Sequence, residues 1–122
     1  MRFMTIYKPA DTRDFEAGLP PSDEQIARMG EFIEEMAKSG KLLLTDGLLP
    51  SSKGAKVRQT NGKVEVIEGP FTETKELIGG FAIVDMASKQ EAIDMAKRFL
   101  AVAGDGESEI REMYPQAAFE AS

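Results

Sequence analysis

The side chains able to do chemistry in this chain are few, and their types narrow the options. There is no histidine and no cysteine. That removes a Ser-His-Asp triad, thiolate nucleophiles, disulfides and any imidazole or thiolate metal site. Proton transfer falls to carboxylates, Lys, Arg and Tyr. Asp46 stands out because it follows the apolar run Leu42-Leu43-Leu44 and precedes Gly47. A carboxylate at such a strand end can face a cleft and act as acid or base; equally, Asp-Gly is a common turn pair. Phe71, Glu73 and Lys75 follow a Gly-Pro corner within a few residues of one another. Lys75 could hold an anionic group while Glu73 moves a proton and Phe71 covers an apolar surface, or the charges could form a solvated loop tied by local ion pairs. Tyr7 and Tyr114 end expected strands, where a hydroxyl can line a cleft rim or simply stay wet above a packed ring. Asp46, Glu68 and Glu73 lack the spacing of a calcium loop or closed metal motif, so no metal and no cofactor is expected.

Composition sets the frame for these residues. A chain of 122 residues fits one domain spanning residues 1–122. Its net charge of -6 disfavours phosphate backbones and anionic lipid, so neither nucleic acid nor membrane is an expected partner. The N-terminal run lacks a signal-like apolar core, which points to a cytoplasmic protein.

The elements that must position the candidates follow from periodicity. Arg2 to Tyr7 reads as a strand, and Ala10 to Pro21 as a polar connection. Ser22 and Gln25 match a capping box, and Ile26, Met29, Ile33 and Met36 continue at helical spacing to a stop at Gly40. Leu42 to Thr45 is a second strand. Lys56 to Thr60 and Lys63 to Ile67 flank Asn61-Gly62, the strongest local signal for a two-residue hairpin. That turn sets Val57 against Val66, Gln59 against Val64, and Arg58 against Glu65 as an expected cross-strand ion pair. Gly79 to Asp85 is a strand entered through two glycines. Ser88 and Glu91 open a second helix, with Ala92, Ile93, Ala96, Phe99, Leu100 and Ala103 on its buried side and Gly104 as its stop. Glu107 to Tyr114 closes the series, and the tail from Pro115 needs a neighbour to be ordered.

Strand, helix, strand, hairpin, strand, helix, strand describes an α+β fold with two helices on one face of a four-stranded antiparallel sheet. Leu42 and Leu44 are expected on one face with Leu43 on the other, while Phe81 and Ile83 oppose Ala82 and Val84. An open face carrying apolar groups predicts a homodimer that buries it.

Glu68-Gly69-Pro70-Phe71-Thr72-Glu73-Thr74-Lys75-Glu76-Leu77-Ile78-Gly79-Gly80-Phe81, together with Gly47-Leu48-Leu49-Pro50 and Val57-Arg58, resembles the YCII-related family, in particular its Asp-Gly-Pro-Phe branch. The resemblance spans nearly the whole chain. It implies a ferredoxin-like subunit forming a dimeric α+β barrel, related in fold to small monooxygenases and muconolactone isomerases. Many members of the wider family carry a His-Asp pair in a cleft. This chain has no histidine to complete one, and it carries Glu68 where the branch has Asp.

Two functions follow. One is a small-ligand-binding or accessory homodimer, consistent with the association of some members with extracytoplasmic-function sigma factors. The alternative is a cofactor-free enzyme performing proton transfer, isomerisation or lyase-like chemistry on a small polar or anionic metabolite. In that case Asp46 is the preferred acid/base with Glu73 assisting, and Tyr7, Phe71 and Lys75 bind the ligand. Missing histidine and cysteine tilt the sequence reading to the first.

Overall fold

The computed structural model describes residues 1–115. Nine regular elements follow one another: β1 (Arg2–Pro9), α1 (Arg13–Glu16), α2 (Asp23–Lys38), β2 (Leu42–Gly47), β3 (Ala55–Thr60), β4 (Lys63–Glu68), β5 (Gly80–Asp85), α3 (Lys89–Ala103) and β6 (Gly106–Glu112). Single turns of 3-10 helix occupy Ser51–Lys53 and Thr74–Glu76.

Both long helices begin where a serine can satisfy an otherwise orphaned backbone donor. Ser22 Oγ accepts from Gln25 N at 3.1 Å and Ser88 Oγ from Glu91 N at 3.2 Å. Neither glutamine nor glutamate completes a reciprocal box. Gln25 Nε2 instead donates to the Ala103 carbonyl at 2.7 Å, so the start of α2 caps the end of α3. Glu91 pairs with Lys41 at 3.0 Å, joining the first turn of α3 to the residue before β2.

The strands form a four-stranded antiparallel sheet in the order β2-β5-β1-β6, and β3 with β4 forms a separate two-stranded ribbon. Phe3 pairs with Val84 and Thr5 with both Ala82 and Ile110, so one face carries Phe3, Thr5, Ala82, Val84, Leu42 and Ile110. The helices cover that face. Phe32 and Met36 of α2 and Ala92 and Met95 of α3 close over Phe3 and Val84, which are 1% and 0% exposed. Burying such side chains contributes roughly 1.5–3 kcal/mol each relative to exposure. Met86, just past β5, completes this cluster.

The expected barrel is not formed. The sheet remains open, with β2 and β6 as its outer strands, because the hairpin stands apart as its own ribbon and adds no strand to close it. There are three α-helices rather than two: Arg13–Glu16 makes a short helix inside what reads as a polar connection, with Asp11 Oδ1 accepting from Arg13 N at 3.1 Å. Four residues leave too little apolar periodicity to reveal a helix in sequence. The expected alternation in β2 is also broken. Leu42 pairs with Val84 and Leu44 with Ile83, so a bulge at Leu43 turns Leu42 and Leu44 to opposite faces.

In α2 the buried apolar residues are Phe32 and Met36, whereas Ile26 at the head of the expected stripe is exposed. The hairpin register is as its Asn61-Gly62 turn requires. Both residues have positive φ, 52° and 81°, and Val57 pairs with Val66, Gln59 with Val64 and Arg58 with Glu65. Arg58 and Glu65 face each other without an ion pair among the described residues. β6 ends at Glu112, two residues short of Tyr114, and the tail beyond Pro115 lies outside the described residues.

Candidate functional site

One end of the sheet carries two of the residues singled out by their chemistry, Tyr7 and Asp46. β1 and β2 finish there with Tyr7 and Asp46, the segment 69–79 enters β5 there, and α3 hands over there to β6. Gly80 pairs with Tyr7 on one side and Gly47 on the other, which puts the ends of three strands in one row.

The glycines of this row are dictated by close approach. A β-carbon on Gly80 would lie 2.9 Å from the Asp46 carbonyl oxygen, and one on Gly79 would lie 3.2 Å from Tyr7 Cδ2. The tyrosine ring is held on its other side by Gly106, where a β-carbon would approach Tyr7 Cε1 to 2.9 Å. Phe99 meets the same ring edge-on, centroids 5.3 Å apart. The Tyr7 hydroxyl donates long hydrogen bonds to the carbonyls of Gly104 (3.4 Å) and Asp105 (3.3 Å). Burial, and secondarily the negative charge of Asp105, raises the phenol above its ordinary pKa, so it stays protonated through neutral pH.

Asp46 pairs with Phe81, not with Gly80, and therefore points to the helix-free face, opposite to Tyr7. Its carboxylate is exposed, with Oδ1 accepting from Gly47 N at 3.0 Å. Across the sheet the row continues Asp46, Phe81, Ile6, Glu109, so three strand spacings, about 14 Å, separate the two carboxylates over an apolar floor. Glu109 is tied to Lys8 at 3.0 Å and to Arg111 at 3.1 Å, and hydrogen bonds from these cations hold it below the usual carboxylate range.

The Gly-Pro-Phe segment is built onto Ser51. Phe71 N donates to Ser51 Oγ at 2.9 Å, Gly69 N donates to the Gly54 carbonyl at 3.0 Å, and Ser51 N donates to Glu16 Oε2 at 2.9 Å. Lys56 sits 4.5 Å above the Phe71 ring and pairs with Glu76, so a cation of β3 clamps both ends of the turn that carries Glu73 and Lys75. Glu73 and Lys75 themselves are exposed, and neither takes part in an ion pair among the described residues.

Tyr7 and Asp46 are thus brought to one end of the sheet but on its opposite faces, while the segment carrying Phe71, Glu73 and Lys75 is held by Ser51 and Lys56. A ligand meeting Tyr7 and Asp46 must lie across the sheet end, over Gly47, Gly79 and Gly80. Sequence reasoning missed Glu16, Ser51 and Lys56, which organise the segment; the only local sign was Ser51 directly after Pro50, a turn signal. Two shallow depressions lie elsewhere. One of about 280 Å³ is lined by Arg2, Glu112 and Tyr114 among others, and one of about 340 Å³ by Glu31, Glu34, Glu35 and Lys38 on the surface of α2. Among the described residues, no group of three or more carboxylates is placed to hold a metal, and no helix is long and apolar enough to cross a membrane.

A domain model for the YCII-related domain matches residues 1–116. The chain belongs to the YCII-related family. A relative within reach of sequence comparison is the uncharacterized protein R00369 of Rhizobium meliloti (strain 1021), 37% identical over 76 residues, covering 62% of this chain and 61% of that protein. The chain thus spans about three-fifths of that relative's length. Among solved structures, the YCII-related chain is similar in fold to 5-chloro-2-hydroxyhydroquinone dehydrochlorinase (TftG) from Burkholderia phenoliruptrix AC1100, in complex with 2,5-dihydroxybenzoquinone. The likeness has a TM-score of 0.53 at 13% identity and covers 98% of this chain and 100% of that one.

Proposed function

We propose that this protein is a small cofactor-free enzyme that moves a proton on a small polar metabolite, in an isomerisation or an elimination of the lyase type. The observation that carries the reading is the glycine-lined end of the sheet, where Gly79 and Gly80 let Tyr7 and Asp46 flank one stretch of backbone. Asp46 is the base: its Oδ1 is steadied by the Gly47 N–H, and its other oxygen faces solvent and an incoming substrate. Tyr7, kept as a neutral phenol, positions the ligand from the other side, while Phe71 covers it, Lys75 holds an anionic group and Glu73 assists the proton transfer. The similarity to TftG along both whole chains favours this over a purely accessory role and suggests a hydroxylated ring as the substrate class. Within the family we assign the chain to the Asp-Gly-Pro-Phe branch on the segment 68–81. The test is chloride release from 5-chloro-2-hydroxyhydroquinone, with amide chemical shifts followed during titration of 2,5-dihydroxybenzoquinone. Saturable shifts at residues 7, 46–47 and 71–80 are expected; a ligand perturbing only the α2 surface, or none binding, would defeat the proposal.

A homodimer accompanies this reading. The helix-free face presents Met4, Ile6, Phe81, Ile83 and Leu44, the last 51% exposed, as an apolar floor wide enough to stack on a second copy without closing either sheet. Sedimentation at micromolar concentration is expected to give twice the chain mass, and a stable monomer would rule the pairing out.

A further inference from the structure

The helix-free face of the sheet carries its charges in a pattern that matches itself in one face-to-face orientation. Phe3 and Val84 lie under the helices, so strand pairing and alternation put Leu44, Ile83, Met4 and Arg111 in one row of the opposite face. The next row, about 7 Å along the strands, is Asp46, Phe81, Ile6 and Glu109. Both rows are apolar at the centre. The first ends in a cation on β6, whereas the second has a carboxylate at each end.

Two such faces stack about 10 Å apart with a skew of about 30°, which leaves facing rows matched near their middle. A two-fold axis running along the strands sets each row on itself end for end. Asp46 of one copy then meets Glu109 of the other, and Leu44 meets Arg111, so like charges are brought together and a guanidinium is laid on an apolar side chain. An axis running across the strands, between the two rows, sets the first row of each copy on the second row of the other. Ile83 then meets Phe81, Met4 meets Ile6, Arg111 meets Glu109 and Leu44 meets Asp46, and symmetry makes every contact twice. Arg111 is free to reach across: its side chain is 72% exposed, and the 3.1 Å bond from its Nη1 to its own Glu109 leaves the rest of the guanidinium fork to donate elsewhere.

We infer that a second copy of this chain covers the helix-free face with its strands antiparallel to the first, Arg111 of each copy pairing with Glu109 of the partner subunit and Leu44 of the partner subunit walling the Asp46 site. The inference rests on the homodimer proposed above and adds its orientation. It also leaves each site incomplete in a single chain. Leu44, 51% exposed in one copy, dries one side of the Asp46 carboxylate in the pair, while the sheet end past Gly47 stays open to a ligand.

The test is charge reversal read by sedimentation equilibrium at micromolar concentration. Arg111→Glu and Glu109→Arg are each expected to weaken self-association at least about tenfold, because each sets like charges face to face twice. An equal mixture of the two variants is expected to restore dimers containing one copy of each. Every reversed side chain then faces an opposite charge across the interface, while the pair within each chain stays like-charged, so recovery reports the contact between copies and shows both variants folded. In the parent dimer, nuclear Overhauser contacts between isotopically distinguished copies are expected from the Ile83 methyls to the Phe81 ring and from Leu44 to Asp46. Stronger self-association of Glu109→Arg, which an axis along the strands requires through Asp46, would overturn the inference. So would unchanged association in either variant, no recovery in the mixture, or contacts between copies that join Ile6 to Phe81 instead. A dimer with the expected contacts but no turnover upholds the orientation and defeats the proposed enzyme, whereas a parent chain that stays monomeric defeats the dimer and its orientation together.

Discussion

Gly69 and Ser51 touch so closely that a β-carbon on the glycine would sit 1.8 Å from the serine carbonyl oxygen. Backbone, not a flexible side-chain end, blocks that space, so one of the two segments must move to admit a methyl group. Gly69→Ala is expected to destabilise the fold by about 2–3 kcal/mol and to shift the Ser51 and Phe71 amides, as measured by chemical denaturation and amide chemical shifts. Gly54→Ala is the matched comparison, since its β-carbon meets the same carbonyl at an ordinary 3.6 Å. Equal losses in the two variants would show that the contact is not the cause.

Asp46→Asn keeps the side-chain oxygen that accepts from Gly47 N and removes the basic carboxylate. Turnover of a hydroxylated substrate should fall by about a hundredfold or more with stability nearly unchanged. Retained turnover in the folded variant would transfer the role of base to another group, with Glu73→Gln the next variant to measure.

Gln25 closes the C-terminal end of α3 from the first turn of α2 through its 2.7 Å bond to the Ala103 carbonyl. Gln25→Ala should cost about 1 kcal/mol and speed amide exchange in the last turn of α3, whereas Ser88→Ala should cost a similar amount but act at the first turn. Exchange unchanged at Gly104 in Gln25→Ala would argue that the interhelical bond contributes nothing.

Glu109 is held below its usual pKa by hydrogen bonds from Lys8 and Arg111. A carboxylate depressed in the folded state adds stability that is fully present above its unfolded pKa and is lost as pH falls through the folded value. Thermal denaturation between about pH 5 and pH 2 should therefore show a smaller acid-induced loss in Glu109→Gln than in the parent chain. Parallel curves for the two proteins would dismiss Glu109 as a source of acid sensitivity.

Local signals read in the sequence survive where the physics is local. Asn61-Gly62 sets the ribbon register because its turn demands positive φ at two successive residues, and Ser22 and Ser88 start helices because their hydroxyls reach donors three residues on. The presence of Tyr7, Asp46 and the Gly-Pro-Phe segment as notable residues was equally legible, since strand ends and Gly-Pro corners announce themselves by composition.

Tertiary structure alone decided how these parts meet. The bulge at Leu43 turns Leu42 and Leu44 to opposite faces, an outcome no alternation rule contains, because it depends on how β2 pairs with β5. The same pairing sends Asp46 away from Tyr7, although both lie near strand ends at one end of the sheet. Glu16, Ser51 and Phe71 are far apart in sequence and meet only when the chain has closed on itself, with α1 supplying a carboxylate to a loop 35 residues later. The openness of the sheet has the same origin. A separate ribbon forms because the Asn-Gly turn satisfies β3 and β4 with each other, and nothing within either strand specifies which larger sheet they should join.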